Sequence, residues 1–155
     1  MMVASIPLLE FAVKFADGDL KDYYHKHIDE EIGHVEILKQ DLAKMGVTEI
    51  PLYLDAVEVV GAQYYLIAHV HPAALLGYMA ALERESVPDE MIDEIENHHG
   101  IKLNCMRLHT KLDSEHIKDL DAEIEKLPED IKQMVKGNEQ YTIAKVEKAF
   151  ASFGK

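Results

Sequence analysis

Apolar positions recur along this chain at helical spacing, and the breaks between them fall at glycine and proline. The run Leu8, Leu9, Phe11, Ala12, Phe15 after Pro7 predicts a short helix with the proline near its first turn. Asp17-Gly18-Asp19 ends it and can cap the next segment. A long amphipathic stretch over residues 20–45 stops at Gly46, a residue suited to left-handed termination. Residues 51–70 are mostly apolar; strand competes for the β-branched portion, but length and the lack of alternation favour helix. Gly61 inside it costs roughly 1 kcal/mol against alanine and leaves open a close helix contact there. Pro72 breaks the pattern, and a further apolar helix spans 72–86 with Gly77 as a second small contact position. Pro88 starts a short helix closed by Gly100. Residues 101–127 read as one unbroken helix ended by Pro128, and the final helix, 128–150, is expected to weaken at Gly137-Asn138. No stretch reads as a strand and the loops are short. The pattern therefore predicts an all-α bundle of about seven helices, with neighbours mostly antiparallel.

Length and composition narrow the class. The chain has 155 residues, one domain's worth, and 48% hydrophobic with 29% charged residues is the balance of a soluble globular protein. Its 29 acidic against 16 basic residues give a formal net charge of −13, which repels phosphate backbones and argues against nucleic acid as a partner. No apolar run reaches a membrane span, and the start MMVASIPLLEFAVKF lacks a basic region followed by a cleavage signal, so a cytoplasmic protein is expected. The single cysteine, Cys105, excludes an intrachain disulfide and fits that compartment.

Two helices carry chemistry on their apolar faces. In 101–127, His109, Asp113 and His116 stand at i, i+4 and i+7, among Cys105, Met106, Leu112, Leu120, Ile124 and Leu127 at helical spacing. In 20–45, His27, Glu31 and His34 repeat that spacing beside Tyr24, Ile28, Val35, Leu38 and Leu42. Such polar groups are costly to bury unless something pairs them. Glu83 lies at the margin of an apolar helix whose earlier turns carry no charge; it is either a third carboxylate of the same centre or part of a solvated last turn. Glu31, His34, Glu83, His109, Asp113 and His116 offer three nitrogens and three carboxylates, enough for two ions with positions left for water, oxygen or substrate, and His27 is a seventh candidate. Imidazole with carboxylate suits iron, manganese or zinc. The competing reading is a buried hydrogen-bonded network of the same groups without metal. Elsewhere, His98-His99 before Gly100 reads as a helix cap, His25 as solvated, and His71 as a helix terminator or a cavity wall. Tyr64, Tyr65 and Tyr78 are core residues at first reading, although one of them near an oxidising metal could donate a proton or an electron.

At these residues the chain resembles the haem-oxygenase-like diiron oxidases, the iron-containing redox enzymes whose fold is shared with haem oxygenase, thiaminase II and the pyrroloquinoline-quinone synthase. The stretches that carry the resemblance are HIDEEIGHVEILKQDLAKMG from His27, HPAALLGYMAALE from His71 and HTKLDSEHIKDL from His109, continuing through EIEKLPEDI into the last helix. The resemblance implies a haem-oxygenase-like bundle, here shortened at its N-terminus, with Glu31 and His34 as first-helix ligands, Glu83 from a middle helix, and His109, Asp113 and His116 as the late cluster. His27, seven residues before His34, competes with Glu31 for the first role. It further implies two iron ions, with manganese an alternative, and an oxidase or oxygenase that activates dioxygen on a small organic substrate of the fatty-acid, amino-acid or amine class. Glu31, Glu83 and Tyr78 are then the catalytic candidates, and Leu75, Leu76, Tyr78 and Met79 either line an acyl pocket or form core. A homodimer would supply the cover that the short N-terminus lacks. The rivals are a metal-independent relative of thiaminase II or the quinone synthase, a haem protein with one proximal histidine, and a non-catalytic metal- or partner-binding bundle.

Overall fold

Gly46 and Gly100 adopt φ of 76° and 65°, and at both the chain leaves a helix in the left-handed region where a Cβ is costly. These stops, with the prolines, divide the chain into α1 (Met2–Val13), α2 (Gly18–Lys44), α3 (Leu54–His69), α4 (Ala74–Arg84), α5 (Asp89–His99), α6 (Asn104–Glu125) and α7 (Glu129–Ser152). The computed structural model describes residues 2–47, 49, 53–84 and 87–152, without the side chains of 2, 112–115, 150 and 152, and there is no strand among them. The all-α expectation holds, and no helix of the described residues is long and apolar enough to cross a membrane.

Helix α4 is the central rod. Every residue from Ala74 to Ala81 is buried, because α1, α3, α6 and α7 all pack against it. Its seat on α7 depends on Gly77: a Cβ there would lie 2.2 Å from the Val135 carbonyl oxygen and 2.9 Å from the Glu139 nitrogen. The core around it gathers Leu8, Leu9 and Ala12 of α1, Tyr24 of α2, Val59 and Ile67 of α3, Leu120 of α6 and Val135 of α7. Tyr24 donates its hydroxyl to the Pro72 carbonyl at 2.9 Å, tying α2 to the bend between α3 and α4.

Three local expectations are corrected. Pro7 lies inside α1, not in its first turn, because the helix starts at Met2 and Ala4 already packs on the core. Helix α7 runs through Gly137-Asn138 without a break. There the Asn138 amide is buried and donates to Gln63 Oε1 and to the Ala74 carbonyl, both at 2.7 Å, so its side chain binds α7 to α3 and α4 and does not compete for its own backbone. At Gly61 a Cβ would meet nothing within 4 Å, so no intrachain close contact uses that glycine.

The start of α6 is pinned by carboxylates from two other helices. Asp41 of α2 accepts from the Cys105 N–H at 2.8 Å and from the Asn104 side chain at 3.2 Å. Glu96 of α5 accepts from the Leu103 N–H at 2.9 Å, and Arg107 spans Glu96, Asp93 and Asp89. The helix has no side-chain cap of its own, so acids from outside satisfy N–H groups that its first turn leaves open. Arg107 above all, then Lys102 and the Leu103 N–H, hold the Glu96 carboxyl down at about 2.

Two outcomes follow. Gly77→Ala should force α4 off α7 and cost roughly 1–3 kcal/mol, a fall in Tm of several degrees, whereas Gly33→Ala, where a Cβ would meet nothing within 4 Å, should be neutral or stabilising by thermal denaturation. Because the folded-state pKa of Glu96 lies below its ordinary 4.5, its contribution is complete above about pH 4.5 and fades as pH falls toward 2. Urea unfolding of Glu96→Gln should therefore show a deficit at pH 7 that closes near pH 2; a gap independent of pH would contradict the ion-paired role.

Candidate metal centre

On α2 the spacing of four and three residues brings His27, Glu31 and His34 onto the face that also buries Leu20, Tyr24 and Val35, while His25, Lys26 and Asp29 point outward. All three site residues are buried. Glu83 ends the apolar run of α4 and is buried as well, not part of a solvated turn, whereas its neighbour Arg84 reaches outward to Glu139 and Asp121. Helix α6 packs on both α2 and α4 and brings His116, buried, and His109, half-buried, to the same place.

Two overlapping triads result. The ligand atoms of Glu31, His34 and His109 lie within 4.8 Å of one another, and so do those of His27, Glu31 and Glu83. Glu31 belongs to both. Its Oε1 stands 3.0 Å from His34 Nδ1, and the His34 and His109 rings are 4.8 Å apart between centroids. On the other side His27 Nε2 is 4.0 Å from Glu83 Oε1, and His116 Nδ1 is 3.4 Å from Glu83 Oε2. These last two atoms are buried and make no hydrogen bond among the described residues, so they face each other at ion-pair distance without hydrogen-bond geometry. Buried polar atoms left in that state are expensive in a network but ordinary around a cation. Imidazoles and carboxylates without a thiolate fit iron or manganese.

The charge states follow the packing. Burial raises the Glu31 carboxyl, with Glu83 adding to it and His34 opposing it. Burial acts on Glu83 in the same direction, but His116, His27 and His109 outweigh it and hold that carboxyl below its usual range. Burial lowers His27 and His109, leaving them neutral and fit to donate a lone pair, while contact with Glu83 raises His116.

Of the seven expected ligands, Glu31, His34, Glu83, His109, His116 and His27 converge. The Asp113 side chain lies outside the described residues. Sequence reasoning missed Glu30, whose carboxylate is 3.6 Å from His27 Nδ1 and 3.9 Å from His116 Nε2, behind both imidazoles at the rim. It also missed Tyr23, stacked on His27 at 6.0 Å. The signal for both was helical spacing: Glu30 is i+3 and Tyr23 i−4 from His27. Tyr78, Leu75, Leu76 and Met79 sit in the hydrophobic core, and burial pushes the Tyr78 hydroxyl above its ordinary range. Cys105 is buried too, and burial carries its thiol up to about 11. His71 accepts from the Ala73 N–H at 3.1 Å beside the start of α4, a terminating role, and His98 and His99 are exposed at the end of α5. An open cavity of 460 Å³ lies between α3 and α7, lined by residues such as Leu66, Met134 and Tyr141 and by none of the cluster.

A family model described as iron-containing redox enzyme matches residues 2–140. Neither the curated proteins nor the solved structures contain a match to this chain.

Proposed function

The chain belongs to the iron-containing redox enzymes, and from that premise we propose that it is a non-haem diiron oxidase or oxygenase that uses dioxygen to oxidise a small organic substrate. The observation that carries this reading is the position of Glu31 in both triads, since a carboxylate shared by two ligand sets suits a pair of adjacent cations. Glu31, His34 and His109 would hold one ion, and His27, Glu31 and Glu83 the other, with His116, 3.4 Å from Glu83, as an additional donor to the second and Asp113 joining from α6 by its spacing between the two histidines. Iron bound there supplies the electrons that reduce dioxygen, and manganese is compatible with the same donors.

The chain's own groups set the conditions for that chemistry. Neutral His27 and His109 present lone pairs, and the carboxylate of Glu83 offsets cationic charge in a site from which burial excludes bulk water. Glu30 stands behind His27 and His116 at 3.6 and 3.9 Å, a negative charge close to both rings but beyond hydrogen-bond distance. Its partial exposure makes that side of the cluster the approach for a substrate, for which the fatty-acid, amino-acid and amine classes are the candidates. A metal-free hydrogen-bonded network is the weaker reading, because Glu83 Oε2 and His116 Nδ1 are buried without a hydrogen bond among the described residues.

Anaerobic titration with Fe(II), followed by metal analysis and an oxygen electrode, tests the proposal. The wild type should take up about two irons per chain and consume oxygen on exposure to air. Glu31→Ala should lose both ions and His116→Ala about one, with oxygen uptake suppressed in each. Iron uptake with no oxygen consumption would reduce the protein to a metal-binding bundle, and equal loading in Glu31→Ala would remove the shared carboxylate from the account.

A further inference from the structure

Helix α3 turns a second apolar face away from the core. Val59, Gln63 and Ile67 are buried, while Leu54, Val57, Gly61 and Tyr65 face outward, with Ala68 half-buried at the end of the same stripe. Leu54 is 73% and Tyr65 63% exposed, the highest values among the described large hydrophobic side chains, and they lie on this one stripe. Solvation normally places charge on such a face. Here the acids beside it are already spoken for within the chain, Glu58 by Lys145 at 2.9 Å and Asp55 by Lys148 at 3.7 Å. In a protein of net charge −13 the outer face of α3 is therefore locally neutralised.

The spacing of the stripe is its own mirror. About Gly61 the positions fall at −7, −4, 0, +4 and +7, so in an antiparallel pair crossing at Gly61, Val57 meets Tyr65 of a second copy and Leu54 meets Ala68. A two-fold interface requires such self-complementarity, because the same patch must serve on both sides. No contact inside the chain needs the glycine, since a Cβ would meet nothing within 4 Å, and its cost in a helix interior is roughly 1 kcal/mol. At the centre of a helix crossing the missing side chain lets two backbones approach closely. Helix α3 is about 24 Å long at 1.5 Å per residue, and Tyr141 of α7 continues the apolar surface across the cavity beside Tyr65. A partner of opposite charge would instead call for unpaired acids, which this face does not offer.

We propose that the outer face of α3 is a homodimer interface, in which α3 crosses α3 of a second copy antiparallel with Gly61 on the two-fold axis. Sedimentation velocity of the intact chain over a range of concentrations at about 0.15 M salt, which screens the net charge, should show a dimer. Gly61→Glu places like charges on the axis and should raise the dissociation constant by about a hundredfold or more, with far-ultraviolet circular dichroism unchanged because the monomer has open space there. In Gly61→Cys, diamide should oxidise the two facing thiols to an intermolecular disulfide and give a covalent dimer. The wild type, whose only cysteine is buried, and Gln40→Cys, exposed on α2, which does not pack on α3, should stay uncrosslinked. A wild type that stays monomeric, or a dimer that survives Gly61→Glu and leaves Gly61→Cys uncrosslinked, overturns the proposal.

Discussion

Two carboxylates, Glu31 on α2 and Glu83 on α4, are buried with oxygen atoms within 4.8 Å of each other. At an effective dielectric near 20 two full negative charges at that separation repel by about 3–4 kcal/mol, before the cost of removing each from water. The surrounding imidazoles offset this, His34 beside Glu31 and His116, His27 and His109 beside Glu83, yet burial still raises Glu31 while Glu83 stays low. The fold holds these groups together against their mutual repulsion, and on the proposed function a pair of cations would turn the same geometry from a burden into a binding site.

What resists the repulsion is the scaffold around the site. Gly77 lets α4 sit directly on α7 and so fixes the height at which Glu83 enters. The amides of Gln63 and Asn138 join α3 and α7 beside the first turn of α4. Asp41 and Glu96 hold the start of α6 from two directions, one turn ahead of His109. None of these residues touches the cluster's ligand atoms in the ways described, but each sets the position of a helix that carries one. A site drawn from three helices is only as exact as their packing.

Much of this was legible in the sequence. Helix ends at Gly46 and Gly100 were readable because left-handed backbone selects glycine, and the histidine–carboxylate arrays because helical spacing puts polar groups where only apolar ones belong. Gly77 was recognisable as a contact, though not which helix it met. Gly137-Asn138 misled because local propensity sees a poor helix former, whereas the Asn138 side chain is satisfied by residues 64 and 75 positions away. Glu30 was hidden in the run Asp29-Glu30-Glu31, where spacing alone could not tell a rim carboxylate from a solvated one. The acyl pocket around Leu76 and Met79 could not be told from core until packing closed on α4 from several sides.

The most direct test of the central claim is anomalous diffraction at the iron edge from crystals grown with Fe(II) in the absence of oxygen. The account predicts two peaks about 3.5–4 Å apart between α2, α4 and α6, with Glu31 reaching both. No peak at that place, or a single peak that Glu31 does not touch, would contradict it.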